Sequence, residues 1–160
     1  MLASVRAEIR QITDEIVGIV SSEHGSAEMT PFGFELMDEI SKKYGVPREE
    51  YSIRLSKLLS AFKLSKASMK RLRSVILKRC DLSLVVADLK LSDNPNLPRS
   101  RAELIQSLTN PEVEAGLVNE AVLKSGRGSS EEKARITDLL QLLFDLSKEV
   151  QASHILGKRK

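Results

Sequence analysis

The residues best equipped for chemistry in this chain are cations, and they are concentrated in one segment. From Tyr51 to Cys80 there is no Asp or Glu, whereas nine Lys or Arg residues occur. These nine are Arg54, Lys57, Lys63, Lys66, Lys70, Arg71, Arg73, Lys78 and Arg79. Residues 1–50 carry a net charge of −5 and residues 81–160 a net charge of −1, so the total of +3 originates in this segment. Because concentrated positive charge attracts and holds phosphates, the segment predicts a surface that binds a polyanion.

The spacing of these cations indicates how they are presented. Lys66, Lys70 and Arg73 follow the i, i+4, i+7 spacing that places side chains along one flank of a helix. Like charges at this spacing destabilise a helix by about 0.2–0.5 kcal/mol per pair, so their retention is compatible with an external anion. Tyr51 and Phe62 are the only aromatic rings in the segment. Contact with the phosphates of duplex or structured nucleic acid is therefore favoured over stacking on bases.

The remaining reactive side chains do not form a catalytic or metal-binding pattern. The chain has one cysteine, Cys80, and two histidines, His24 and His154, which are far apart in the sequence. Cys80 lies on the apolar stripe of a predicted helix, where cysteine commonly serves as a small apolar residue. Zinc sites need three or four such ligands at characteristic spacings. We therefore expect no metal, no cofactor and no enzymatic activity.

An alternative explanation of the basic segment is neutralisation by the protein itself. The N-terminal third has an excess of acids, which can pair with the cations within the fold or across a subunit contact. The acids that qualify are Asp14, Glu15, Glu35, Asp38 and Glu39. A membrane partner is less compatible, because the predicted basic helix exposes no Trp or Phe beside its lysines and no apolar run approaches the about 18 residues of a membrane span. We expect an intracellular protein, cytoplasmic or associated with DNA in a nucleoid or nucleus.

Hydrophobic periodicity and helix-breaking residues predict an all-α fold of seven or eight short helices. The first is an amphipathic helix over residues 2–22, with apolar residues at alternating spacings of three and four. Thr30-Pro31 and Gly45 are typical of the start and the end of the second helix. Residues 82–91 favour a short helix, with a strand as the alternative. Further helices are predicted at 47–62, 66–80, 100–109 and 110–124.

The C-terminal part of the chain predicts one longer helix and a contact with another chain. Residues 1–160 are expected to form a single domain, with any subdomain boundary at residues 92–99, where prolines and asparagines forbid a helix. Gly126 to Ser130 predict a joint before a helix over residues 130–156. Because the apolar face of that helix is wide, we expect it to pack on a second copy or on a helical protein partner. The expected interface residues are Ile136, Leu139, Leu143, Leu146 and Val150.

Residues 39–55 also match the pattern of a DNA-binding helix-turn-helix, although the pattern is generic. The small residue, the turn glycine and the apolar residue that the motif needs are Ser41, Gly45 and Val46. The side chains expected to project from its second helix are Arg48, Ser52, Arg54 and Lys57. Tyr51 is large for the packed position that it would occupy, and Glu49 and Glu50 would repel phosphates. An ordinary helical corner is the preferred interpretation.

Two hypotheses about function are consistent with these patterns. The first is a non-enzymatic nucleic-acid-binding protein that contacts phosphates through residues 54–79 and self-associates, with the choice of DNA or RNA left open. The second is a helical assembly or adaptor protein, such as a structural subunit of a larger particle. In that case the amphipathic faces of residues 2–19 and 136–150 would be the contact surfaces.

Overall fold

The computed structural model describes residues 2–21, 30–124 and 129–159, and these residues form seven α-helices and no strand. The helices are α1 (Leu2–Ser21), α2 (Thr30–Tyr44), α3 (Ser52–Ser60), α4 (Lys66–Asp93), α5 (Arg101–Leu108), α6 (Pro111–Lys124) and α7 (Ser130–Lys158). The predicted all-α class is confirmed. Residues 22–29 and most of the joint predicted at Gly126 to Ser130 lie outside the described residues.

The second half of the basic segment, from Lys66 to Cys80, belongs to a helix that is much longer than expected. Residues 66–80 and 82–91, predicted as separate elements, both lie in the 28-residue helix α4. The helix begins at a cap, where the Ser65 hydroxyl accepts a hydrogen bond from the Ser68 amide at 3.2 Å. No Gly or Pro occurs from residue 66 to residue 93, so nothing in the backbone ends the helix where the apolar pattern becomes less regular. The strand alternative for residues 82–91 was wrong.

The last helix lies at the centre of the fold. α7 packs against each of the other six described helices, and its residues 146–152 are all buried. A helix that is enclosed on every side shows no single apolar stripe, which explains the wide apolar surface seen in the sequence. The residues predicted as an oligomer interface are at most 2% exposed within one chain: Ile136, Leu139, Leu143, Leu146 and Val150. That interface prediction was wrong, because the chain's own helices cover these side chains.

The hydrophobic core consists of two clusters, and the two longest of the described helices, α4 and α7, contribute to both. The main cluster joins α1, α2, α3, α4, α6 and α7, and it includes the part from Ile12 to Val20 of the apolar face of α1 that was the other candidate contact surface. The smaller cluster consists of Ala87, Leu104, Leu108, Ala152 and Ile155, from α4, α5 and α7. α4 and α7 run parallel, since Arg79 contacts Leu143 and, farther along both helices, Asp88 contacts His154. Both helices therefore contribute side chains to both clusters.

A close crossing of α2 and α3 sets the position of the corner between α3 and α4. A Cβ added at Gly33 would lie only 2.4 Å from the Cα of Ser56, so the two backbones can approach this closely only at a glycine. Gly45 ends α2 with a φ of 73°, a left-handed conformation that glycine adopts without strain. The Ser41 hydroxyl donates a hydrogen bond to the Val46 carbonyl at 2.7 Å, which closes this turn.

The start predicted for the third helix was wrong by five residues. Residues 47–51 are not helical and include a turn at residues 49–51, and α3 begins at Ser52. Tyr51 is 7% exposed and donates a hydrogen bond from its hydroxyl to Glu149 Oε1 at 2.9 Å. Burial and this hydrogen bond both raise the pKa of Tyr51. The turn is thereby anchored to α7, and α3 is held with one face toward solvent.

Candidate nucleic-acid interface

Five of the nine predicted cations are exposed lysines that form no ion pair with any described residue. They are Lys57, Lys63, Lys66, Lys70 and Lys78. Lys57 lies near the end of α3, Lys63 in the connecting loop, and Lys66 and Lys70 in the first two turns of α4. We call these four residues the lysine corner. Lys78 follows two turns farther along α4.

Buried neighbours hold the lysine corner in place. Phe62 and Leu64 are 7% and 0% exposed and belong to the main cluster, whereas Lys63 between them is exposed. Lys66 and Lys70 lie one helical turn apart, about 6 Å along the axis. The amino end of α4 adds a partial positive charge beside them. The corner is therefore a local concentration of positive potential to which no described carboxylate is bound.

The exposed arginines of α4, in contrast, are paired with acids of other helices. Arg71 Nη2 lies 3.1 Å from Glu15 Oε1 of α1. Arg73 forms two hydrogen bonds with the Glu39 carboxylate of α2, one of them from Nε at 2.9 Å. The planar fork of a guanidinium favours such pairing with a carboxylate more than a lysine ammonium does. Neutralisation by N-terminal acids thus applies to these two arginines and leaves the five lysines without an ion-pair partner among the described residues.

Arg79 was wrongly placed in the contact surface. It is 5% exposed, and its Nη1 donates hydrogen bonds to the Leu143 carbonyl at 2.7 Å and to the Ser147 hydroxyl. Its guanidinium lies 4.7 Å from the centre of the Phe144 ring, in a cation–π arrangement. Burial lowers the pKa of Arg79 to about 10, so the group is still charged at neutral pH. Held in this way, Arg79 joins α4 to α7 and does not reach the surface.

Two of the four side chains predicted to project from the helix-turn-helix segment do so. Arg54 and Lys57 are exposed on α3. Ser52 is 7% exposed and donates a hydrogen bond to the Arg48 carbonyl at 2.8 Å. Arg48 lies in the turn before α3, where its Nε is 2.5 Å from Asp38 Oδ1. The predicted projection of Ser52, and that of Arg48 from the helix, were wrong because α3 begins later than expected.

A shallow groove of about 280 Å³ lies between α3 and α7, next to the lysine corner. Its lining residues are Arg54, Lys57, Leu58, Asp138 and Gln141. Arg54 Nη2 is 3.5 Å from Asp145 Oδ2 of α7, so this arginine is already partly neutralised. Because Asp138 also contributes negative charge, the groove is a poorer anion site than the lysine corner.

The other described side chains that could take part in chemistry are either buried or paired with neighbouring residues. Cys80 is 4% exposed, and burial raises the pKa of its thiol to about 12. The Lys158 ammonium and the His154 ring both bond Asp88 Oδ1, at 2.5 and 2.9 Å, and these contacts lower the pKa of Asp88. His24 lies outside the described residues. Within the described ranges, no group of three or more His, Cys, Asp or Glu residues is arranged to hold a metal, and no helix is long and apolar enough to cross a bilayer.

Sequence reasoning missed a set of exposed apolar side chains. These are Ile53 (60% exposed), Val85 (39%), Val113 (54%) and Leu123 (75%). Ile53 lies on the face of α3 opposite its buried leucines, and Leu123 lies opposite Val118 on α6. A helical projection of these two short segments would have identified both residues.

Comparisons of the chain with protein-family models, with curated proteins and with solved structures found no match.

Proposed function

We propose that this chain is a non-enzymatic protein that binds the phosphate backbone of nucleic acid through the lysine corner and Lys78. The supporting observation is selective pairing: the exposed arginines of the basic segment have carboxylate partners, whereas its five exposed lysines have none among the described residues. Exposed lysine ammonium groups are point charges that suit phosphate oxygens. Their concentration at one corner favours a phosphate chain over a single small anion.

The surroundings of the corner favour duplex or structured nucleic acid over an unpaired strand. Binding to single strands depends on aromatic platforms for the bases. Tyr51 and Phe62, the two rings of the basic segment, are each 7% exposed, so neither offers a face for stacking. Contacts with phosphates alone position a protein on a duplex without reading its sequence. We therefore expect binding with little dependence on base sequence.

The proposal predicts a characteristic dependence on salt. Each phosphate neutralised on a duplex releases condensed counterions, and log K falls with log salt with a slope of about −0.9 per contact. If all five lysines make contacts, the slope is about −4.5. We expect fluorescence anisotropy with labelled duplex DNA, duplex RNA and single strands to show this slope for a duplex and weaker binding to single strands.

A matched pair of double variants tests whether the corner carries the binding. Lys66→Ala/Lys70→Ala removes two ammonium groups from the corner, and Lys42→Ala/Lys133→Ala removes two exposed lysines from α2 and α7. The net charge changes equally in both. We expect the slope of the corner variant to become shallower by about 1.8 and that of the control to stay close to the parent value. Equal losses in the two variants, or no binding of the folded parent protein at low salt, would refute the proposal.

Burial within the chain weighs against the alternative hypothesis of an assembly protein that works through the faces of its first and last helices. The apolar face of α7 and the part of the α1 face from Ile12 to Val20 lie in the main cluster, so in this fold these side chains are not available to a partner.

A further inference from the structure

We propose that copies of this chain associate by packing the exposed face of α3 in one copy against the exposed face of α6 in another. This contact goes beyond the proposed nucleic-acid binding and does not depend on it. Among the described residues, three of the four large apolar side chains that remain exposed lie on these two helices. α3 and α6 make no contact with each other within one chain, so both faces are available at the same time.

The exposed face of α3 combines one apolar side chain with positive charge. Ile53 is 60% exposed, and Lys57 lies one helical turn farther along the same helix. Arg54 stands beside both, at the edge of the groove between α3 and α7, and is partly neutralised by Asp145 at 3.5 Å, so Lys57 contributes most of the positive charge. The nine residues of α3 carry a formal charge of +2. The face therefore offers an apolar contact that is flanked by cations.

The exposed face of α6 has the opposite character. Leu123 is 75% exposed and Val113 is 54% exposed, and Glu112 and Glu120 are exposed on the same side of the helix. Glu120 lies 3.4 Å from the Lys124 ammonium, which is itself 3.5 Å from Asp14 of α1, so the acids outnumber the cation on this side. Gly116 lies between Glu112 and Glu120 with open space around it, which lets another helix approach closely. The fourteen residues of α6 carry a formal charge of −2. This face thus presents apolar contacts that are flanked by acids.

Charge decides which faces pair. Packing α3 against α3 would oppose cations with cations, and packing α6 against α6 would oppose acids with acids; either arrangement is electrostatically unfavourable. Packing α3 against α6 covers Ile53 with Leu123 or Val113 and places opposite charges side by side. Such a contact between unlike surfaces closes into a two-fold dimer if it is made twice, or extends into a chain if it is made once per copy.

The contact is small, so we expect it to be transient. Interfaces that bury less than about 1,200 Å² are typical of weak complexes. Sedimentation velocity on the full chain at micromolar to submillimolar concentrations should show a weight-average mass that rises with concentration. The rise should weaken as salt is added, because rim charges contribute to the attraction.

Two complementary variants test the pairing of unlike faces. Ile53→Asp disables the α3 face and leaves the α6 face intact, whereas Leu123→Asp does the reverse. We expect each variant alone to stay monomeric at the highest concentration and their equimolar mixture to recover association, because the mixture again holds one intact copy of each face. Val85→Asp, an exposed apolar position on α4, is the control and should associate like the parent. Far-ultraviolet circular dichroism verifies that each variant is folded.

Several outcomes would overturn the contact: a parent protein that is monomeric throughout, either variant alone still associating, or a mixture that stays monomeric. The same samples separate this inference from the proposed function. Leu123→Asp changes a helix that carries no lysine of the corner, so it should retain the salt slope of the parent on duplex nucleic acid. Ile53→Asp places a carboxylate one helical turn from Lys57, so its slope should become shallower by no more than about 0.9, the value of one phosphate contact. Loss of nucleic-acid binding in the parent with intact self-association would refute only the proposed function.

Discussion

At the residue scale, the partner of each cation decides whether it is available to a phosphate. Arg73 is held by Glu39 and Arg71 by Glu15, so two guanidinium groups beside the lysine corner are occupied in the free protein. Exposed ion pairs of this kind contribute only about 0–1 kcal/mol to stability. Their more important consequence here is to limit the number of charges that the surface offers to a ligand.

Removal of the acid should therefore strengthen binding. We predict that Glu39→Gln frees Arg73, raises the affinity for duplex nucleic acid at low salt and makes the salt slope steeper by about 0.9, the value of one added phosphate contact. Glu103→Gln is the control, because it changes the net charge equally at an exposed position of α5. Anisotropy titrations across a salt series provide the measurement. If both variants gained the same amount, long-range charge rather than the Arg73 contact would explain the effect.

Arg79 is the opposite case. It lies in the basic segment but is buried, so its contacts stabilise the fold. Arg79→Ala removes the stack on Phe144 and the hydrogen bond to Leu143 and leaves a cavity, so we predict a loss of about 2–4 kcal/mol in the free energy of unfolding. Arg79→Met keeps most of the volume without a buried charge and should cost less than about 1.5 kcal/mol. Urea unfolding measures both changes. Arg79→Met should bind duplex nucleic acid like the parent, and a loss as large as that of Lys70→Ala would return Arg79 to the contact surface.

The sequence predicts which residues are charged but not which charges are paired. Charge counting located the basic segment, and the i, i+4, i+7 spacing located the exposed flank of α4. The pairing of Glu39 with Arg73 joins residues 34 positions apart, and the contact of Arg79 with Leu143 joins residues 64 positions apart. Such partners follow from the arrangement of helices, which local periodicity does not determine.

At the element scale, the helices themselves were largely predictable and their surroundings were not. The pattern of α7 was recognised as apolar, but a wide apolar face is equally compatible with a partner chain and with a central position in the fold. The structure shows the second case, with α7 enclosed by α1 to α6. Burial of Ser147, Lys148 and Glu149 is possible because neighbouring helices supply partners; the Lys148 ammonium, for example, is 3.0 Å from Glu114 Oε2.

The crossing of α2 and α3 gives a prediction at this scale. Gly33→Ala would place a Cβ 2.4 Å from the Ser56 Cα, a backbone atom, so the two helices must separate. We predict a loss of about 1–3 kcal/mol in the free energy of unfolding. Gly18→Ala is the matched control, because nothing lies within 4 Å of its Cβ position in α1 and alanine favours a helix by about 1 kcal/mol. Thermal unfolding should show changes of opposite sign; a neutral Gly33→Ala would mean that the two backbones are not in contact.

At the scale of the whole molecule, two parallel helices connect everything else. α4 carries the basic surface at one end and part of the smaller cluster at the other, and α7 runs beside it through both clusters. The prolines of residues 92–99 marked a break in the sequence, but a break in the chain need not be a break in the packing. Because α4 and α7 span both clusters, separating one cluster from the other would require unfolding one of these helices.

We therefore predict that the chain unfolds as a single cooperative unit, and Cys80 provides the probe. The thiol is buried in the main cluster, where its pKa is raised to about 12. The raised pKa contributes to the stability of the folded state. This contribution is complete below the ordinary thiol pKa of 9.0 and is lost as the pH rises toward 12. At pH 8 the folded protein should resist a thiol reagent, and labelling in urea should follow the loss of helical signal with one midpoint.

A Cys80→Ala/Ala152→Cys variant moves the thiol into the smaller cluster. The same agreement between labelling and helical signal is expected there, whereas labelling that precedes the helical transition would establish the α5 end as a separate subdomain.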